Sequence, residues 1–330
     1  MDLLEKIKKF DLKGRGGAGF SVYNKWSLVL KAKGKTKYLI VNGAEGEPGV
    51  KKDEYIIKYH SKELIDGIKL ALDYIKAKKC IIFLNHDYIK YGKKIKKHIN
   101  DSNIEIIYKP KNAGYVAGEE STMLNILENK RSEPRARPPF PTESGYKDSP
   151  TLIHNVETIY NIYLVSIDKY KKNRFYTING EAKNPGVYNL PAKHSIARIL
   201  EETNNLPSFK FFVQHGGQAS GEILNSSQLK KKVSGCGAIT VYSYKNNNDF
   251  KLIKNLVNFY FYSSCGKCTP CREGTYRLKE MLSSEKMNWP HFLELIDNLE
   301  NSSFCALGSS LAIPVKSYIK NVNPDFKPEL

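Results

Sequence analysis

Leu3, Leu4, Ile7 and Phe10 recur on one helical face, so the first element the chain predicts is a short amphipathic helix near its start. An unbroken apolar run, Tyr38-Leu39-Ile40-Val41, then has the length of a buried strand and delivers a loop of small and acidic residues, Asn42-Gly43-Ala44-Glu45-Gly46-Glu47-Pro48-Gly49. Helical period returns from Ser61 to Lys78 through Leu64, Ile65, Ile68, Leu72 and Ile75, followed by a strand from Cys80 to Asn85. A second amphipathic helix from Tyr88 to Ile99 precedes a strand from Ile104 to Tyr108. This alternation predicts a parallel, doubly wound α/β sheet. Beyond it, Met123, Leu124 and Leu127 mark another helix, and the stretch from Pro150 to Thr158 is predicted to open one that reaches about Val165.

From Arg174 the pattern shortens. Phe175 to Gly180 and Gly186 to Leu190 read as two hairpin arms around Lys183-Asn184-Pro185-Gly186, joined by a helix near Ile196 to Glu202 and strands from Phe209 to Val213 and from Ala238 to Tyr244. These form a small α+β unit. The last segment is helical, with Phe292, Leu295, Ile296 and Leu299 on one face.

Composition narrows the class. Hydrophobic residues at 41% fit a folded chain, and 330 residues allow two or three domains. The longest apolar runs are strand length, so no membrane insertion is expected, and the first residues lack the basic flank and apolar core of an export signal. Lys and Arg total 52 against 34 Asp and Glu, a formal charge of +18. The lysines are scattered, without a basic arm or interleaved aromatic platform, which favours an acidic protein partner over nucleic acid.

The chemistry concentrates in a few places. Cys265, Cys268 and Cys271 fall at i, i+3 and i+6 in a loop with glycine and proline, and Cys305 is the remote fourth thiol. Three close thiols and one distant one fit a 4Fe-4S cluster; a zinc site and a metal-free loop are the alternatives. Gly14-Arg15-Gly16-Gly17-Ala18-Gly19-Phe20 packs four glycines into six residues, a backbone able to approach a phosphate or a flavin edge, or simply a flexible turn. A helix precedes it where the dinucleotide fingerprint needs a strand, which disfavours the ordinary Rossmann reading. Glu45 and Glu47 sit in a strand-end loop, where ligands of open sheets bind, although an acidic solvated turn would look the same. Glu119 and Glu120 begin a helix and would serve its dipole in any case. Arg131, Arg135 and Arg137 alternate with four prolines up to Pro141 as a stiff cationic strap. His154 reads more readily as a hydrogen-bonded structural residue than as a catalyst.

Taken together, the glycine loop, Asn42 to Gly49, Tyr115 to Glu120, His154-Asn155-Val156-Glu157-Thr158 and the cysteine motif resemble the flavin-bearing, NADH-oxidising F subunit of respiratory complex I. That family includes the diaphorase subunits of NAD-linked hydrogenases and formate dehydrogenases. The motifs stand in the family's order over about residues 13 to 320. The resemblance implies a Rossmann-like FMN- and NADH-binding domain (1–170), a ubiquitin-like β-grasp domain of SLBB type (171–250) and a C-terminal helical bundle with one 4Fe-4S cluster (251–330). It implies FMN contacts at Gly16, Gly17, Gly19, Lys25, Asn42 and Asn155, and NADH contacts at Phe20, Glu47, Tyr115, Glu120, Arg137 and Phe140. Glu45, Gly118, Glu119 and His154 belong to the same cofactor-binding set, and Cys265, Cys268, Cys271 and Cys305 are the implied cluster ligands.

The function so implied is electron input: NADH is oxidised by hydride transfer to FMN, and single electrons leave through the cluster to a partner. No acid or base catalyst is needed for that chemistry. The implied partners are a thioredoxin-like 2Fe-2S subunit and a larger iron–sulfur subunit of one complex, and the implied location is cytoplasmic, at the inner face of the membrane. The chain departs from the family at Ala44, where aspartate is usual, at Leu28, near a usual aromatic, and at Arg137, often lysine; it also lacks the longer N-terminal extension. The alternative is a non-catalytic electron-transfer or assembly subunit that keeps the cluster and the fold without binding NADH productively.

Overall fold

The computed structural model describes residues 1–34, 36–247, 251–284 and 287–323. The chain divides into two compact units. One comprises Met1–Gly46 and Lys51–Phe175; the other takes Glu47–Val50 and the chain from Tyr176 onward.

The first unit opens with helices α1 (Leu3–Lys9), started by Asp2, whose carboxylate accepts from the Leu4 amide, and α2 (Val22–Lys31), capped by Ser21. Strand β1 (Tyr38–Gly43) follows, then α3 (Lys52–Tyr59), α4 (Ser61–Ile75), β2 (Lys79–Leu84), the single turn α5 (Gly92–Lys96), β3 (Ile104–Tyr108), α6 (Glu120–Leu127), β4 (Thr151–Asn155) and α7 (Val156–Ser166). The four strands form one parallel sheet in the order β3-β2-β1-β4. Leu39, Ile40 and Val41 of β1 are fully buried at its centre. Each such aliphatic side chain contributes on the order of 2 kcal/mol. Met123 and Leu124 of α6 pack with Ile40, Ile81, Phe83 and Ile153. On α4, Leu64, Ile65, Ile68 and Ile75 are buried, and α4 meets α7 so closely that a Cβ on Gly67 would stand 2.6 Å from the Ile159 carbonyl oxygen.

Two expectations are corrected here. The stretch from Pro150 does not open a helix: Thr151–Asn155 is the strand β4, paired in parallel with β1, and the helix begins only at Val156. The helix expected from Tyr88 to Ile99 is a 3-10 segment, His86–Tyr91, followed by the five residues of α5. Tyr88 and Ile95 are buried, but the intervening Lys93 and Lys94 are exposed and leave too narrow an apolar stripe for a long helix.

The order of strands matters for function. From β1 the chain moves outward to β2 and β3, then returns to the other side of β1 to lay down β4. The reversal leaves a crevice at the carboxyl ends of β1 and β4, where open α/β sheets bind ligands.

The second unit is built on a mixed sheet of β5 (Asn173–Gly180), β6 (Gly186–Pro191), β7 (Phe211–His215), β8 (Glu222–Asn225) and β9 (Ala238–Ser243), ordered β6-β5-β9-β7-β8. Helix α8 (Ile196–Glu202) buries Ile196, Ile199 and Leu200 against Tyr176, Val213, Ile239 and Val241. Five helices follow: α9 (Lys251–Ser263), α10 (Thr269–Met281), α11 (Trp289–Ser302), α12 (Ala306–Ser310) and α13 (Ala312–Asn321). The outer strand β8 is covered by α13, since Ile223 N donates to Ser317 Oγ at 2.9 Å and Asn321 Nδ2 donates to the Ile223 carbonyl at 2.7 Å. These contacts satisfy an edge that would otherwise invite foreign pairing. Among the described residues no helix is long and apolar enough to cross a membrane.

Candidate nucleotide site and thiol centre

Asn42 and Asn155 are register partners at the carboxyl ends of β1 and β4, on the two sides of the crevice. Asn42 Nδ2 donates to the Gly118 carbonyl at 2.8 Å, and its Oδ1 accepts from Ala44 N at 3.2 Å, so it ties the β1-end loop to the turn before α6. Asn155 Nδ2 donates to Asp53 Oδ2 at 2.6 Å and to the Asn42 carbonyl at 3.2 Å, and Asn155 Oδ1 accepts from Lys52 Nζ at 2.9 Å and Glu157 N at 3.1 Å. Its amide is held in one orientation from both ends.

Sequence reasoning missed the groups that hold it. Lys52 and Asp53 are each 2% exposed, Lys52 Nζ lies 2.5 Å from Asp53 Oδ1 and 3.6 Å from Glu157 Oε2, and Glu157 is fully buried. Burial alone would lower the Lys52 pKa, but the carboxylates of Asp53, Glu157 and Glu45 outweigh it and push it above its ordinary value. The available signal was spacing: Lys52 and Asp53 stand four residues before Ile56 and Ile57, on the same buried stripe of α3.

The glycine loop docks on the start of α7. Arg15 N donates to Thr158 Oγ1 at 2.9 Å, and a Cβ on Gly16 would meet Asn155 Cβ at 3.3 Å. Gly19 has φ +65 and open space where a side chain would be, which leaves bare backbone facing outward. Lys25 of α2 pairs with Glu120. Glu119 caps α6, its Oε2 accepting from Thr122 N at 2.8 Å and Ser121 Oγ at 2.6 Å, while its other oxygen takes Arg137. The cationic strap is thereby pinned at Arg137, and again at Arg135, whose Nε donates to Asn125 Oδ1 at 2.8 Å.

Other candidates are placed differently. Glu45 accepts from the amides of Asp53 at 2.7 Å and Glu54 at 2.9 Å and from the Tyr88 hydroxyl, so it caps α3. Burial, reinforced by Asp53, pushes its pKa up to about 7. His154 accepts from Trp26 Nε1 at 2.9 Å, and burial, with the charge of Lys25, holds it neutral. Phe20 and Phe140 are both 51% exposed, and the Tyr115 ring lies 3.3 Å from the Cβ position of Gly46. Glu47 belongs to the second unit, where it is buried. Ala44 is buried against the sheet, and Leu28 is exposed.

In the second unit Cys268 is the N-cap residue of α10, Cys271 lies in its first turn and Cys305 is the N-cap residue of α12. A Cβ on Gly308 would be 3.2 Å from Cys271 Cβ, so α12 lies directly on this thiol. Burial pushes the Cys271 pKa up to about 11, and Cys268, Cys305 and Cys265 act on it in the same direction, which puts all four thiols in one neighbourhood. Among the described residues no group of three or more His, Cys, Asp or Glu is gathered tightly enough for one metal ion. Four soft thiol donors in one neighbourhood suit a 4Fe-4S cubane, which would be held by Cys265, Cys268, Cys271 and Cys305. The bare glycine backbone, the oriented amides of Asn42 and Asn155 and the Lys25 cation are groups that would hold FMN in the crevice.

Comparison with known proteins agrees. The Nuo51 FMN-binding domain matches residues 7–164, and the iron-sulfur binding region of NADH-ubiquinone oxidoreductase-F matches residues 251–329. An NADH-quinone oxidoreductase F subunit of Rhizobium meliloti (strain 1021), the one numbered 2, is 30% identical over 369 residues, spanning 98% of this chain and 88% of that protein. The corresponding F subunit of Buchnera aphidicola subsp. Schizaphis graminum is 32% identical over 374 residues, spanning 99% of this chain and 83% of that protein. Among solved structures, a chain of the NAD+-reducing [NiFe]-hydrogenase in the H2-reduced state superposes with a TM-score of 0.90 at 25% identity over 99% of this chain. This chain spans only 62% of that one. Fold and site together define a flavin- and iron–sulfur-dependent NADH dehydrogenase component. The chain belongs to the family of NADH-quinone oxidoreductase F subunits, with FMN and a 4Fe-4S cluster as cofactors and NADH as substrate.

Proposed function

We propose that this chain is the electron-input subunit of a larger assembly, taking electrons from NADH at the β1/β4 crevice and passing them singly through its thiol centre to a partner iron–sulfur subunit. The observation that carries this reading is the pair Asn42 and Asn155, locked at the switch point beneath a glycine loop, in a chain that also gathers four thiols. When bound, FMN accepts a hydride and the cluster accepts one electron at a time, which converts pair chemistry into single-electron chemistry.

The chain's own residues then position. Gly16, Gly17 and Gly19 present backbone to the flavin, Lys25 meets its phosphate, and Asn42 and Asn155 orient it. Phe20 and Phe140, half exposed, offer rings for a nucleotide base, with Tyr115, Gly118, Glu120 and Arg137 around the nucleotide. Glu45, Glu47, Glu119 and His154 complete the cofactor-binding set through the groups that they hold in place. The chain carries an FMN- and NADH-binding domain over the first 170 residues, a β-grasp domain of SLBB type over about 171–250 and an iron–sulfur cluster domain over about 251–330. A thioredoxin-like 2Fe-2S subunit and a larger iron–sulfur subunit are the fitting acceptors, in a complex at the cytoplasmic face of the membrane.

Composition tests the cofactor assignment. The purified complex releases FMN and not FAD on heating and carries four iron and four sulfide per copy of this chain's cluster, which Cys268→Ala abolishes along with its EPR signal. Released FAD, or a full iron complement in the variant, contradicts the reading.

A further inference from the structure

Within the second unit, Glu47 is 8% exposed, and its Oε1 accepts the amide of Ala219 at 2.8 Å and that of Ser220 at 3.4 Å. The approach is so close that a Cβ on Gly217, whose φ is +154, would stand 2.1 Å from Oε1. Two residues on, the Gly49 carbonyl accepts from Asn179 Nδ2 at 2.7 Å, and Asn179 Oδ1 in turn accepts from Gln218 Nε2 at 3.2 Å. The short segment 47–50 is thus seated on the 217–220 turn at both ends.

The other side of that turn faces the thiol centre. The Ala219 carbonyl, in the same peptide unit as the Ser220 amide, accepts from the Tyr260 hydroxyl at 3.2 Å. Tyr260 is fully buried, and its hydroxyl lies 2.9 Å from Ser310 Oγ. The Tyr260–Ser310 contact is one in which either hydroxyl can be the donor, and Ser310 Oγ also reaches the Leu307 carbonyl at 3.2 Å. The hydrogen bonds form one continuous chain from Ser310 through Tyr260 to the Ala219 carbonyl, and from the Ser220 amide of the same peptide unit to the Glu47 carboxylate. Aligned hydrogen bonds of this kind polarise one another, most strongly where they end on a charge. Ser310 is the last residue of α12, the helix that Cys305 opens and that rests on Cys271. A tyrosine serving only to pack needs one acceptor, whereas this one joins two segments with separate tasks.

We propose that Ser310, Tyr260, the Ala219–Ser220 peptide and Glu47 form a positioning tie between the cluster loop and residues 47–50, so that assembly of the cluster fixes the end of the nucleotide loop. The inference rests on the assignment of Cys265, Cys268, Cys271 and Cys305 as cluster ligands. In this arrangement Glu47 and Tyr260 are positioning residues.

Hydrogen exchange followed by mass spectrometry tests the tie in the full-length protein. In the cluster-free Cys305→Ala protein, the amides of Glu47, Gly49 and Val50 exchange roughly 5–10-fold faster than in the loaded protein, the factor expected for loss of one net hydrogen bond. Tyr260→Phe shows the fast rate while keeping its iron, and Ser310→Ala cuts the same chain at its other end should Tyr260→Phe not fold. A second readout is the midpoint potential of the cluster: Glu47→Gln and Tyr260→Phe each shift it, and in the double variant the shifts are not additive. Equal exchange rates with and without cluster, or additive shifts, overturn the tie. Full iron in Cys305→Ala instead overturns the ligand assignment on which it rests.

Discussion

Glu119 and Glu120 are neighbours in sequence and differ in what holds them. Glu119 is committed to the start of α6 and to Arg137, so its loss acts first on the helix end, where a cap is worth about 1 kcal/mol. Glu120 pairs with Lys25 across the crevice, an ion pair that a phosphate arriving at Lys25 would compete for. Its charge is therefore the one available to discriminate nucleotides: a carboxylate accepts from ribose hydroxyls and repels a 2′-phosphate, an effect on the order of 1–3 kcal/mol. Glu120→Gln is expected to lower the ratio of kcat/KM for NADH over NADPH by roughly 10-fold, by that same arithmetic. An unchanged ratio would remove Glu120 from the nucleotide site. The two roles cannot be told apart from the sequence, because both glutamates sit in the first turn and serve the helix dipole equally well. Glu45 shows the same limit from the other side: its place in a strand-end loop is legible, but its capping role depends on α3, a helix with no clean apolar period.

That helix illustrates what the elements conceal. α3 carries Lys52 and Asp53 on its buried face, so the charges break the apolar period that would have announced it. Strand β4 was hidden for the opposite reason. Thr151, Leu152, Ile153 and His154 are all buried, and a strand buried on both faces shows no alternation and reads as the start of the helix behind it. Among elements with one wet face, α8 was legible to the residue, α4 from its start to within three residues of its end, and α11 by its apolar stripe. The buried group beneath Asn155 also makes an energetic prediction. Lys52 is the cation set against Asp53 and Glu157, and removing one partner of a buried pair leaves uncompensated charge. Lys52→Met is expected to destabilise the protein by about 3–5 kcal/mol and to weaken FMN binding through Asn155, read by chemical denaturation and flavin fluorescence. A loss below about 1 kcal/mol, typical of an exposed pair, would show that these buried charges do not depend on Lys52.

For the whole molecule, charge and cofactors point to assembly. An excess of positive charge amounting to +18 steers encounters with an acidic partner, so association with the proposed 2Fe-2S subunit is expected to slow steeply as salt rises, while the dissociation rate changes little. A salt-independent association rate in stopped flow would assign the charge to solubility alone. The class of chemistry was legible from the spacing of the cysteines and the order of the motifs, whereas the links between them, through Asn155 and Lys52 in one unit and Tyr260 in the other, are made largely by residues that no motif marks. In the proposed function one chain takes electrons from NADH and releases them through its own cluster. Anaerobic titration of the FMN- and cluster-loaded protein with NADH, followed by flavin absorbance and EPR on the same samples, tests it most directly. Bleaching of the flavin is expected together with a reduced-cluster EPR signal that Cys268→Ala removes while the bleaching persists. A flavin that stays oxidised under excess NADH would contradict it and leave a protein that conducts electrons without taking them in.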